Sequence, residues 1–175
     1  MKIVPFNELK AVPWKNGLGI TREIAVSPEG AGMDEFLWRV SIADVDTASP
    51  FSTFSGIDRT IVLLEGDGFT MTLDGDREHA LTVPCEPFAF PGEAKVDVTL
   101  AGGATRDFNL MVRRGKARGE VRVLRGKVDV NQAALVHLVR GAGFADGMPL
   151  QAGDTVFGAT SIALESYAIA LAVIL

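Results

Sequence analysis

The sequence of 175 residues predicts an all-β protein, and three observations carry that prediction. Short apolar runs recur along the whole chain and are too brief for helices. They alternate in polarity or are rich in β-branched residues, and clusters of Gly, Pro, Asp and Ser separate them, as expected of strands joined by turns. The chain also lacks helical stretches to cover open sheet edges, so its strands must stack or close into jelly-roll-like barrels.

The N-terminal "MKIVPFNELKAVPW" is broken by Pro5 and Pro13 and carries Glu8, unlike a secretory signal, which predicts a cytoplasmic protein. Within it, "PFNEL" reads as a helical turn. Strands are expected at "FLWRVSIA", "TIVLLEG", "FTMTLDG", "HALTVP", "FAFPG", "KVDVTLAGG" and "DFNLMVRRG", and then at "EVRVLRG", "ALVHLVRG", "TVFG" and "SIALES". "VNQAALVHL", which overlaps the strand-like "ALVHLVRG", is the second candidate exception, where Asn131 could cap a helical turn. The closing "YAIALAVIL" has nine residues, far short of the roughly 20 a membrane helix needs, and reads as a buried strand.

A repeat organises these strands. "EGDGF" at 65–69 and "RGAGF" at 140–144 each follow an aliphatic run, and Phe69 and Phe144 are 75 residues apart. A short turn-and-strand unit and a long return strand follow each copy, which is the order of half a double-stranded β-helix. The expectation is two related barrels in tandem: residues 1–115, carrying the candidate site, and residues 116–175, smaller and apolar inside, joined within 114–120. The second copy has Ala133 and Ala134 where the first has Asp58 and Arg59.

Charge narrows the partners. Seventeen basic against 22 acidic side chains give a net −5, so no global field draws the protein to nucleic acid or an anionic membrane, and neither is expected. The run "RRGKARGEVRVLRGK" holds seven of the positive charges but reads as a solvated linker and edge strand. Cys85 is the only cysteine, which excludes an internal disulfide and a thiolate cluster. His79 and His137 form no His-x-His pair, so no metal site and no cofactor are expected. No Gly-x-Ser-x-Gly elbow is present. Asp44, Asp46, Asp58, Glu65 and Asp107 could serve acid/base chemistry, but no spacing pairs them, and solvated acids fit as well.

Polar residues inside apolar strands are the main functional signal. In "FLWRVSIA", alternation puts Phe36, Trp38, Val40 and Ile42 on one face and Leu37, Arg39, Ser41 and Ala43 on the other. In "RDFNLMVRR", Asp107, Asn109 and Met111 oppose Phe108, Leu110 and Val112. With Arg59 at the start of "TIVLLEG", these residues suit a small carboxylate or amide ligand. An internal Arg39 or Arg59 ion pair with Asp107, or arginines turned to solvent, would fit the same pattern. "WKNGLGITREI" at 14–24 offers Gly17 and Gly19 for close backbone approach and Asn16 and Thr21 for hydrogen bonds, though Asn-Gly is equally a hairpin turn.

"WKNGLGITREI", "FLWRVSIADV", "SPFSTFSGIDRTIVLLEGDGF", "FAFPG" and "RDFNLMVRRG", in that order, resemble the HutD/Ves family of cupin-type proteins over most of residues 1–115. The resemblance implies a metal-free bicupin that, in the HutD branch, senses or buffers a small acidic intermediate of histidine utilisation; the Ves branch is associated with stress induction. The family's motif falls on Trp14, Asn16, Gly17, Gly19 and Thr21, on Trp38, Arg39 and Ser41, on Phe51, Ser52, Gly56 and Arg59, and on Asp107 and Asn109. Leu18 departs from it, standing where the family has the middle of three glycines. Three readings result. One is a ligand-binding protein using Asn16, Gly17, Thr21, Arg39, Ser41, Arg59, Asp107 and Asn109. Another is a metal-independent isomerase or hydrolase with Asp107 or Asp58 as base. The third is an interaction module docking through Trp14 and Phe54. A homodimer is possible under any of them.

Overall fold

A computed structural model describes residues 1–175 and contains eighteen strands, one 3-10 turn and no α-helix. The chain divides into two compact units, Lys10–Arg118 and Met1–Leu9 with Gly119–Leu175. The division differs from the expected 1–115 and 116–175 at the N-terminus, for a local reason. Strand β1 (Lys2–Val4) pairs antiparallel with β16 (Thr155–Phe157), which ties residues 1–9 to the C-terminal unit.

The unit Lys10–Arg118 has two sheets. Six strands run in the order β2 (Ala11–Pro13), β3 (Gly19–Ser27), β4 (Trp38–Val45), β10 (Thr105–Arg113), β5 (Ile57–Glu65) and β8 (Phe88–Pro91). Three more run in the order β7 (Arg77–Leu81), β6 (Phe69–Leu73) and β9 (Val96–Leu100). Ile61, Leu63 and Phe90 of the larger sheet pack on Phe69, Met71, Leu73, Leu81 and Val96 of the smaller, so the two stack face to face. Both sheets keep two end strands and do not close into a barrel.

The second unit repeats this pairing. Its sheets are β1, β16, β13 (Ala133–Arg140), β18 (Ile169–Ile174) and β11 (Glu120–Leu124), and β12 (Lys127–Asp129), β17 (Ser161–Leu164), β14 (Ala142–Ala145) and β15 (Met148–Gln151). As β5 lies between β10 and β8, β13 lies between β18 and β16; as β6 pairs with β7 and β9, β14 pairs with β15 and β17. The repeat therefore reaches strand connectivity. It breaks at the phenylalanines. Phe69 is buried, whereas Phe144 is 45% exposed, because β14 turns Gly143 and Ala145 inward instead.

Two local expectations change. "VNQAALVHL" forms no helical turn: Ala133–Arg140 is strand β13, held between β16 and β18. "PFNEL" does carry the 3-10 turn, Phe6–Glu8. Phe36 lies before β4 begins, its N–H donating to Gly32 O at 3.2 Å, and it packs with Ile57 and Met111 rather than extending the Trp38 face. "YAIALAVIL" is the buried strand β18, as expected.

The broken phenylalanine repeat predicts unequal costs. Phe69→Ala removes a fully buried ring and should destabilise by about 3–5 kcal/mol, whereas Phe144→Ala should stay within roughly 0.5 kcal/mol. Denaturant midpoints of the two variants check this.

Candidate functional site

The site is built by antiparallel register. Along β4, β10 and β5, one face carries three rows: Arg39, Met111 and Arg59; Ser41, Asn109 and Ile61; Ala43, Asp107 and Leu63. The polar faces read from the two alternating strands therefore lie on the same side of one sheet. They line a cavity of about 300 Å³, which Trp14, Asn16 and Thr21 wall at one side and the segment Ser49–Phe54 at another.

Asn16, Thr21, Arg39, Ser41, Arg59, Asp107 and Asn109 all line this cavity. Gly17 does not. Its φ of 72° and the bond from its N–H to Trp14 O at 3.0 Å make it the corner of a turn, where an added Cβ would meet nothing within 4 Å. Gly19 is the glycine under steric demand, since a Cβ there would lie 2.6 Å from Asp44 O and 2.9 Å from the Trp14 ring. Leu18 has no positive φ, and its N–H donates to Asn16 Oδ1 at 3.0 Å, so a side chain at this position strains nothing.

Arg59 is the most unusual group. Its side chain is buried, yet no carboxylate pairs with it, and its only polar contact is from Nη1 to Ser52 O at 3.4 Å. Nε has no partner. Three rings surround the guanidinium carbon instead, at 5.3 Å (Phe51), 5.4 Å (Phe54) and 4.9 Å (Phe90). Their π faces offset part of the cost of burying the charge. Burial pulls the Arg59 pKa down to about 10, which still leaves a cation at neutral pH.

Arg39 is different. Its Nε donates to Glu23 Oε2 at 2.8 Å. The residue that supplies this partner is aimed by a bulge in β3, where the pairing steps from Glu23 opposite Ser41 to Ala25 opposite Val40. Neither arginine pairs with Asp107, so the expected alternative of an internal ion pair with that residue does not occur.

Asp107 is 1% exposed. Its Oδ2 accepts a long hydrogen bond from Thr105 Oγ1 at 3.4 Å, and its Oδ1 has no partner. Desolvation raises its pKa to about 7, with the Thr105 bond opposing and the charge of Asp44 adding to the rise. Other acids are occupied elsewhere. Asp44 binds Arg22 and Arg106, Glu65 binds Arg106, and Asp58 is exposed and binds Arg114. Asp58 thus lies outside the cavity lining and cannot be its base.

Several contributors were not foreseen. Phe90 lies over the Arg59 guanidinium, Ser49 joins the wall, and Glu23 neutralises Arg39. The alternation of Phe88 and Phe90 in "FAFPG" was a readable signal for the first; the bulge that aims Glu23 left none. Trp14 and Phe54 belong to the cavity wall, and Trp14 Nε1 donates to Thr21 Oγ1 at 2.7 Å. His79 lies in β7, stacked on Phe88 at 3.6 Å. His137 is buried in β13 against Thr155 Oγ1 at 2.9 Å. The basic run is tied down in part: Arg113 donates to Phe36 O and Asp34 O, and Arg114 to Asp58 and Glu93.

Stacked antiparallel sheets around a lined cavity define a cupin-type β protein. A cupin 2 conserved barrel domain protein from Leptotrichia buccalis shares the fold, at a TM-score of 0.59 and 10% identity over 99% of this chain and 96% of that one. The HutD family model matches residues 6–170, and the chain belongs to the HutD family. A Pseudomonas putida relative, described as an uncharacterized 21.2 kDa protein in the hutC 3' region, is 44% identical over 63% of this chain and 57% of its own length. The chain thus spans little more than half of that relative. Protein Ves of Cronobacter sakazakii is 36% identical over 78% of this chain and 77% of its own. The structure of HutD from Pseudomonas fluorescens superposes with a TM-score of 0.84 at 30% identity, over 99% of this chain and 97% of that one. No helix is long and apolar enough to cross a membrane.

The raised pKa of Asp107 makes stability depend on pH with a definite sign. Between pH 4 and 7 the folded state holds a proton on Asp107 that the unfolded state has lost, so stability falls as pH rises through this window. Asp107→Asn removes that loss. Wild type and variant should be near equal at pH 4, and the variant should be the more stable at pH 8, by on the order of 4 kcal/mol at most. Urea midpoints of both proteins across this range check it.

Proposed function

We propose that this protein is a metal-free bicupin whose Lys10–Arg118 unit binds a small organic acid or amide, in a sensing or buffering role linked to histidine utilisation. The single observation that carries the reading is Arg59, a buried cation without a counter-ion at a cavity of about 300 Å³. Such a charge is costly unless a ligand completes it. Asn109, Ser41 and Thr21 supply the hydroxyl and amide groups that would orient a carboxylate or amide. The lining holds one carboxylate and no histidine or cysteine, a poor donor set for a transition metal or zinc. The repeated strand pairing supports two related cupin-like halves. Membership of the HutD family, and a relative described by its place in a hutC 3' region, support the link to histidine utilisation.

The desolvated carboxyl of Asp107, with a pKa near 7, favours a second reading, in which it moves a proton in an isomerase or hydrolase of a small acid. Turnover seen by mass spectrometry and lost in Asp107→Asn would promote that reading; binding with no product would retire it.

Thermal unfolding with urocanate, formylglutamate and related acids tests the first reading. At one hundred times the dissociation constant, a ligand selective for the folded state adds about 2.7 kcal/mol, which is a rise of roughly 5–10 °C for a protein of this size. Arg59→Met should abolish the rise. Arg39→Gln should weaken it less, because Glu23 already neutralises Arg39. An unshifted melting temperature with every acid would refute the assignment.

A further inference from the structure

We infer that the cavity takes up its acid together with a proton: Asp107 enters the complex as a neutral carboxyl that donates its O–H to the guest's carboxylate, while Arg59 supplies the opposing charge. The inference rests on the acid-binding reading above and adds a specificity-determining role for Asp107.

Charge counting leads to it. Only Arg39, Arg59 and Asp107 among the lining residues ionise. Arg39 is balanced by Glu23. With Asp107 ionised, it and Arg59 sum to zero in the empty cavity, and a guest carboxylate would bring the buried total to −1. One proton from solvent restores neutrality. The hydrogen-bond inventory agrees: Asp107 Oδ1 is buried and unpartnered, and a carboxylate guest offers only acceptors. Two acceptors cannot satisfy each other, so one of them must carry hydrogen.

The surroundings leave Asp107 as the group to take that proton. Across from it, β4 presents Ala43 and β5 presents Leu63. On its own strand, Thr105 Oγ1 touches the carboxyl and Asn109 Nδ2 donates to the backbone carbonyl. Asp44, bound to Arg22 and Arg106, adds negative potential and disfavours the ionised form. From β3 come Thr21 on the wall and Glu23 on Arg39. The segment Ser49–Phe54 adds no charge, and the smaller sheet faces the core with apolar residues; its His79 is stacked on Phe88 outside the lining.

Calorimetric titration of the whole protein with acetate, propionate and benzoate from pH 6 to 8.5, in two buffers of different ionisation enthalpy, tests this. Above about pH 7 one proton should be taken up per acid bound, and Kd should weaken about tenfold per pH unit, roughly 30-fold across the range. Asp107→Asn keeps a donor and removes the titration, so its Kd should stay flat. Proton count and wild-type pH profile stand on their own if that variant fails to fold. Binding that is independent of pH, or that tightens as pH rises with proton release, overturns the inference and leaves the acid site standing. Failure of all three acids to bind at every pH sinks both.

Discussion

The register of β4, β10 and β5 is the constraint on which the cavity depends. Arg39, Met111 and Arg59 stand in one row because Met111 pairs with Arg39 on one side and with Arg59 on the other. A slip of one residue in either pairing would send one strand's polar set to the opposite face, now filled by Val40, Ile42, Phe108 and Leu110, all essentially buried. That face fixes the register in turn, because a slip of either strand would pull two buried apolar side chains out of their packing and put polar ones in their place. Hydrocarbon on one side of the sheet therefore holds the polar groups in place on the other.

The two units show what the same connectivity does with different side chains. Leu138 and Val136, 75 residues on from Leu63 and Ile61, pair with Ala170 and Ala172, where the first unit pairs Asp107 and Asn109. The alanines join one apolar cluster with Leu124, Ala145, Leu150 and Ile162. There the equivalent positions meet carbon. In the first unit the equivalent positions carry groups that hydrocarbon cannot satisfy, and space remains beside them. The buried polar atoms without a partner, on Arg59 and Asp107, thus belong to one of two units with like strand pairing.

How much of this was legible in the sequence follows from which rules are local. Period-two alternation placed Arg39, Ser41, Asp107 and Asn109 correctly, because a strand needs no partner to decide which residues share a face. It could not say that the two faces meet in one sheet, which pairing decides. Asn131 misled because a capping residue before "AALVHL" is a helix signal that two flanking strands overrode. Gly17 and Gly19 looked equivalent, yet one makes a corner and the other admits the Trp14 ring, a difference set by a contact 25 residues away at Asp44. The N-terminal strand could not be assigned to the C-terminal unit, since three residues carry no record of a partner more than 150 positions distant.

The bulge in β3 makes the two arginines unequal, and on the proposed acid-binding reading this inequality bears on what the cavity can hold. Without it, Glu23 would not sit opposite Ser41, within reach of Arg39, and two uncompensated cations would flank Met111. Two strand spacings, roughly 10 Å, separate their backbones, a span suited to a dianion. With Glu23 in place the charge available to a guest is that of Arg59 alone, caged by three rings that leave it little freedom to move. A second carboxylate on the guest would meet an arginine already paired and a carboxyl at Asp107 that repels it when ionised. On the proposed acid-binding reading, Arg59 meets one carboxylate of the guest, and a second one would have to be met by the hydroxyl and amide groups of Thr21, Ser41 and Asn109 rather than by a free cation.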